Sequence, residues 1–188
     1  MDVQEVCLAL AGPAGVLEIP TTIPVDARYS FPVVLTGGEP LLQIDRELTT
    51  GLASVGYAVH VETNGSEDAA QKCSDIGALT FCDEVVISPK TEDISSTVLA
   101  YGSALKVLVP FPRGVTESVV RACVERLGTF RSRDPKLILQ PMTPIEGQNH
   151  HSFFANCNEA VRLATRWLAE LGERWCVVPQ THVTMRLK

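Results

Sequence analysis

Two periods of apolar residues alternate along this chain. Short β-branched or apolar runs are each followed by stretches in which apolar residues recur every three or four positions. Val33-Val34-Leu35 leads into Thr36-Gly37-Gly38-Glu39-Pro40. This predicts a buried strand whose terminal turn opens directly into a helix, with Pro40 in the first turn, where a missing N–H costs nothing. Leu41, Ile44, Leu48, Leu52 and Val55 then recur at helical spacing, and Gly56 supplies a stop. Tyr57 to Glu62 reads as a second strand, broken by Thr63-Asn64-Gly65, and Ser66 is placed to cap a helix whose first turn carries Glu67 and Asp68. Further strands are expected over 84–88, 104–109, 136–140 and 175–178. Helices are expected over 94–101 and 116–127, the second ended by Gly128. A polar loop runs to His151, and a strongly patterned helix starts at Asn156 or Asn158. It places Val161, Ala164, Leu168 and Leu171 on one face and stops at Gly172. Ahead of all this, residues 2–11 suggest a short helix and 12–30 a loop that is long for a compact domain.

Strands alternating with helices imply an α/β fold of parallel strands joined by right-handed crossovers. Polar residues gather at one end of each strand: Thr36 and Glu39, Glu62 and Asn64, Ser88 and Lys90, Gln140, then Gln180 and His182. In a twisted parallel sheet or partial barrel these ends share a rim, and ligands of such folds bind there. The pattern therefore predicts a polar pocket without naming its chemistry.

Composition narrows the class. The 188 residues are 45% hydrophobic and 20% charged, the balance of an ordinary globular domain. A net charge of −6 argues against a broad nucleic-acid surface. No apolar run approaches membrane-spanning length, and Met1-Asp2-Val3-Gln4-Glu5 lacks a basic leader region, so a cytoplasmic location is expected. The six cysteines, at 7, 73, 82, 123, 157 and 176, are widely spaced without any Cys-x-x-Cys, and they read as buried free thiols, with no metal site among them.

Each rim group has two readings. Gly37 and Gly38 either expose main chain to an ammonium or carboxylate, or merely permit close strand–helix packing. Glu62 either accepts bonds from a ribose diol or caps the Asn64-Gly65 turn. Lys90 beside Ser88-Pro89 is a ligand cation or a solvated charge. His182 is a substrate contact or a packed residue, His150 and His151 read as solvated, and His60 reads as structural.

Together the rim segments resemble the 7-carboxy-7-deazaguanine synthases, radical S-adenosylmethionine (SAM) enzymes of queuosine precursor biosynthesis. The matching pieces are Thr36-Gly37-Gly38-Glu39-Pro40-Leu41-Leu42-Gln43, Glu62-Thr63-Asn64-Gly65, Ser88-Pro89-Lys90, Leu139-Gln140-Pro141-Met142 and Gln180-Thr181-His182. The likeness covers residues 31–188 as one partial-barrel domain and leaves 1–30 poorly matched. It implies an incomplete (β/α) barrel of parallel strands, commonly a homodimer. The implied activity is that of a carbon–nitrogen lyase contracting 6-carboxytetrahydropterin to 7-carboxy-7-deazaguanine with loss of ammonia, in a pathway of tRNA modification. A [4Fe–4S] cluster would reduce SAM to a 5′-deoxyadenosyl radical, with Mg2+ assisting and a donor such as flavodoxin supplying the electron. By the same resemblance Thr36, His182 and the carboxylate of Lys188 would face the pterin. Gly38 would meet the SAM methionyl group and Glu62 its ribose, while Ser88, Pro89, Lys90, Gln140, Pro141, Met142 and Thr143 would line the SAM site. Val183 stands where the family usually has lysine.

One departure matters. The family holds its cluster with a Cys-x3-Cys-x2-Cys type loop on the strand before the Gly-Gly-Glu motif, and an Asp-Thr after it binds magnesium. Here Cys7 is the only cysteine before Thr36, and one thiolate does not hold a cluster. No residue of this chain is therefore read as catalytic or as a metal ligand. With the family's first strand missing, the Val33–Leu35 strand is expected to present an unpaired edge. Three readings follow: the C-terminal part of a synthase whose activity belongs to the complete protein, a SAM- or pterin-binding module without chemistry, or an unrelated α/β enzyme.

Overall fold

The computed structural model describes residues 32–54, 56–130, 134–142 and 150–179. Six strands, β1 (Pro32–Leu35), β2 (Ala58–Thr63), β3 (Glu84–Ile87), β4 (Ala104–Val109), β5 (Lys136–Pro141) and β6 (Trp175–Val177), follow one another in the sheet in sequence order. Helices α1 (Arg46–Ser54), α2 (Glu67–Lys72), α3 (Ser96–Tyr101), α4 (Glu117–Arg126) and α5 (His150–Leu171) alternate with them. The α/β alternation read from the sequence is thus the architecture found. The predicted segments 2–11 and 12–30, with Val55, Thr143, His182 and Lys188, lie outside the described residues. No helix among the described residues is long and apolar enough to cross a membrane. Contacts divide the chain into two units, residues 1–63 with 68–85, and 64–67 with 86–188.

In the first unit β1 pairs with β2 in parallel, Pro32 against Ala58 through Leu35 against Val61. The expectation that β1 is buried fails. Val34 is 47% exposed and Pro32 is exposed too. Among the described residues β1 has a partner on one side only, so its apolar character does not make it a core strand. The helix expected directly after the turn is also interrupted. Glu39 caps a single 3-10 turn over Pro40–Leu42, and α1 starts only at Arg46. The Asp45 carboxylate causes this restart by accepting the Leu48 N–H at 2.8 Å, one of the donors a helix start leaves without a backbone partner. Leu41, Ile44 and Leu52 are still buried, together with Val59, Val61, Ala78 and Leu79. Each such Leu, Ile or Val side chain contributes about 1.5–3 kcal/mol. Asp83 binds Val59 as a strand neighbour would, its Oδ2 accepting the Val59 N–H and its own N–H donating to the Val59 carbonyl.

In the second unit β3, β4, β5 and β6 pair in parallel in that order. Ile87, Leu105, Val107, Leu139, Leu163 and Trp167 fill its core. Trp167 stacks on Phe111 and meets Trp175 at 4.9 Å between ring centroids. Its indole N–H donates to Glu117, whose other carboxylate oxygen takes Arg166. Helix α5 corrects the sequence reading twice. It begins at His150, six residues before the earlier of the two expected starts, so Asn156 lies inside it and not at its cap. There the Asn156 amide donates to the Met142 carbonyl at 2.9 Å. The face carrying Val161, Leu168 and Leu171 is exposed, while Ala160, Leu163 and Trp167 form the buried face.

Candidate functional site

In a parallel pair the carboxyl ends of neighbouring strands lie side by side, and both units put their rim residues there. In the first unit Thr36 and Glu62 stand one position beyond the Leu35–Val61 pair. Gly37 turns the chain at φ +109°, and among the described residues neither Gly37 nor Gly38 has an atom within 4 Å of where a β-carbon would project. Among the described residues no neighbouring element packs against either position. The two glycines leave main chain exposed at the end of a strand, where a ligand can approach it.

The acid of the Gly-Gly-Glu motif is engaged from within. Glu39 Oε1 accepts the Leu41 N–H at 3.1 Å and the Thr63 hydroxyl at 2.5 Å. Thr63 is buried at the end of β2. This bond ties the exposed glycine turn to the neighbouring strand, and sequence reasoning missed it. The signal available was that Thr63 follows Glu62 at the strand end opposite Glu39. Nearby, burial pushes the Cys73 thiol up, and the charges of Asp75 and Glu39 push the same way against a lowering backbone bond from Asp75.

In the second unit Asn64 closes its own turn by accepting the Ser66 N–H at 2.7 Å. Gly65 sits at φ +69° with its carbonyl accepting from Ser95. Ser88 and Pro89 are buried just past β3, and the exposed Lys90 folds back so that its ammonium donates to the Ser88 hydroxyl at 3.0 Å. Gln140 and Pro141 close β5 opposite Leu108 and Val109 of β4, and the Met142 N–H donates to the Val109 carbonyl at 2.7 Å. Ser88, Pro89, Lys90, Gln140, Pro141 and Met142 thus occupy the carboxyl ends of β3 and β5, on either side of β4. Thr36, Gly38 and Glu62 occupy those of β1 and β2. His60, read as structural, has Nδ1 3.4 Å from Glu84 Oε2.

Cys73, Cys82, Cys123, Cys157 and Cys176 are free. Cys82 and Cys123 are buried as expected, and burial pushes the Cys123 thiol to about 11. Cys176 is exposed, contrary to the expectation, because it lies on β6 at the end of the strand order, on the opposite side of the strand from the buried Trp175. Among the described residues no three His, Cys, Asp or Glu side chains are gathered as a metal would require.

No protein-family model matches the chain. Two curated proteins named 7-carboxy-7-deazaguanine synthase match its parts. The Burkholderia multivorans protein is 37% identical over 87 residues, 46% of this chain, and the Bradyrhizobium diazoefficiens protein 39% over 101 residues, 54% of this chain. The matches span 36% and 41% of those two relatives. Among solved structures, the crystal structure of QueE from Escherichia coli superposes with a TM-score of 0.54 at 22% identity. The superposition covers 94% of this chain and 63% of that one, and it supports the fold. A Hyperthermus butylicus protein of the same name is 31% identical over 192 aligned positions, covering 93% of this chain and 73% of its own length. By that span and identity the chain belongs to the 7-carboxy-7-deazaguanine synthase family.

Proposed function

We propose that the chain binds SAM and 6-carboxytetrahydropterin and serves the formation of 7-carboxy-7-deazaguanine with loss of ammonia. The observation that carries this reading is the exposed Gly37-Gly38 turn at the end of β1, with no atom of the described residues near either missing β-carbon. The ammonium and carboxylate of a methionyl group need main-chain partners at close range, and a turn without side chains supplies them. In this reading Gly38 meets the methionyl group and Glu62 the ribose. Ser88, Pro89, Lys90, Gln140, Pro141, Met142 and Thr143 line the rest of the SAM site. Thr36, His182 and the Lys188 carboxylate orient the pterin. Span 31–188 carries all of these positions.

In this reading the residues above hold SAM, while among the described residues no three His, Cys, Asp or Glu side chains gather for the family's [4Fe–4S] cluster or Mg2+. The cluster takes three thiolates. When bound, SAM and its cluster supply the hydrogen-abstracting chemistry, and the protein supplies orientation and electrostatics. We therefore assign this chain binding and positioning, and no step of turnover by itself. A second copy and a flavodoxin-type electron donor are the partners this reading takes over from the family.

Anaerobic reconstitution with iron and sulfide tests the assignment. The expected result is no [4Fe–4S] absorption surviving desalting, and a stable cluster spectrum would overturn binding without turnover. Calorimetric titration is expected to show saturable heat with SAM and with the pterin. Silence with both would remove the proposal.

A further inference from the structure

The space that lets a ligand reach Gly37 and Gly38 also leaves their turn without support. Among the described residues no atom stands within 4 Å of either added β-carbon, and neither glycine makes a backbone hydrogen bond. Glycine backbone has a wide choice of conformations, so such a turn is held by what flanks it. On one side β1 is fixed through Leu35, which pairs with Val61 of β2. On the other side the first fixed point is Glu39. It caps the Pro40–Leu42 turn, and its Oε1 accepts the Leu41 N–H and, at 2.5 Å, the Thr63 hydroxyl. A hydrogen bond to a carboxylate is shorter and stronger than one between neutral groups. Thr63 is only 2% exposed, so water competes little for this one.

We propose that Thr63 is a positioning residue for SAM. Its hydroxyl touches no ligand; it holds Glu39, and through Glu39 the far end of the glycine turn. Thr63 is the last residue of β2, and side chains alternate along a strand. It therefore shares the buried face of Val59 and Val61, while Glu62 points to the opposite face. The turn is thus fastened from behind the sheet, on the side away from the ligand. The bond fixes the spacing between the Gly38 main chain and the Glu62 carboxylate across the ends of β1 and β2. Threonine suits the task, because branching at its β-carbon restricts χ1 and with it the place of the hydroxyl. The inference rests on the functional reading in which Gly38 and Glu62 meet SAM. Coupling between bound groups is reciprocal, so SAM seated on the turn holds the Glu39–Thr63 bond closed in return.

Calorimetric SAM titration of the full chain tests it with Thr63→Val, Thr63→Ser and Thr49→Val, each first shown to be folded by circular dichroism. Thr49 is the matched control. It is buried in the same unit, but its hydroxyl bonds to the Asp45 and Arg46 carbonyls at the start of α1. Thr63→Val is expected to weaken SAM binding about tenfold, within the usual strength of such coupling. Thr63→Ser is expected to recover most of that loss, since serine still offers a hydroxyl. Thr49→Val is expected to stay within about twofold of wild type, as independent sites do. Wild-type affinity in Thr63→Val, an equal loss in Thr49→Val, or no recovery in Thr63→Ser would overturn the positioning role and leave the functional reading standing. A wild type that binds no SAM would overturn both. Should Thr63→Val fail to fold, the wild type decides by amide exchange at Leu41, the other donor to Glu39 Oε1. Saturating SAM is expected to slow that exchange about tenfold, and an unchanged rate would overturn the role.

Discussion

Glycine does different work at two of the rim turns. At Gly65 a β-carbon would stand 2.7 Å from Ile87 Cγ2, and the backbone is left-handed at φ +69°. Gly65→Ala therefore combines backbone strain with overpacking and is expected to cost about 2–4 kcal/mol in urea denaturation. A loss under about 0.5 kcal/mol, the range of an ordinary surface change, would contradict the packing described. At Gly37 and Gly38 no atom of the described residues lies within 4 Å of an added β-carbon, and under the proposed function that room is the ligand's. The sequence shows glycine at all three positions and leaves the two reasons indistinguishable, because the first depends on Ile87, 22 residues further on. Glu39 is similar. Its place at the rim is legible beside the Gly-Gly pair, but the hydroxyl it accepts from comes from Thr63 on the next strand. Local pattern does not carry that pairing.

Helix ends were misread where a side chain bonds away from its own helix. Asn156 has the chemistry of a cap, so a sequence reader starts α5 near it. The structure instead spends the amide on the Met142 carbonyl, tying the helix to the end of β5. Asn156→Ala is expected to cost about 1 kcal/mol in thermal or urea unfolding, the usual worth of such a bond. Asn156→Asp removes the donor and sets a carboxylate against the carbonyl, so it should cost at least as much. Indifference to both changes would show that the bond does not anchor α5. The facing of α5 was illegible for another reason. Two apolar stripes run along it, and periodicity measures the strength of each without saying which meets the sheet. Trp167 settles that by its contacts with Phe111 and Glu117, both distant in sequence, and with Trp175 on β6.

For the whole molecule, alternation of strands and helices was enough to read parallel α/β order. Each strand–helix pair is written locally, and right-handed crossovers leave few topologies. Exposure at β1 was legible only through the resemblance, from which an unpaired edge followed; the run Val33-Val34-Leu35 by itself read as buried. Function was legible to the same degree. Rim motifs in sequence order point to the family, and a relative aligned over 93% of the chain bears the family out, while the roles of single residues rest on the proposal.

The central claim is that the bare turn at Gly38 receives SAM, and one paired measurement tests it most directly: calorimetric SAM titration of the wild type and of Gly38→Val, with urea unfolding of both. Since no atom of the described residues lies within 4 Å of the added β-carbon, the variant should keep its stability to within about 0.5 kcal/mol. Its side chain would occupy the ligand's approach, so SAM affinity should fall at least tenfold. Equal SAM affinity in a folded Gly38→Val, or no SAM binding by the wild type, would contradict the account.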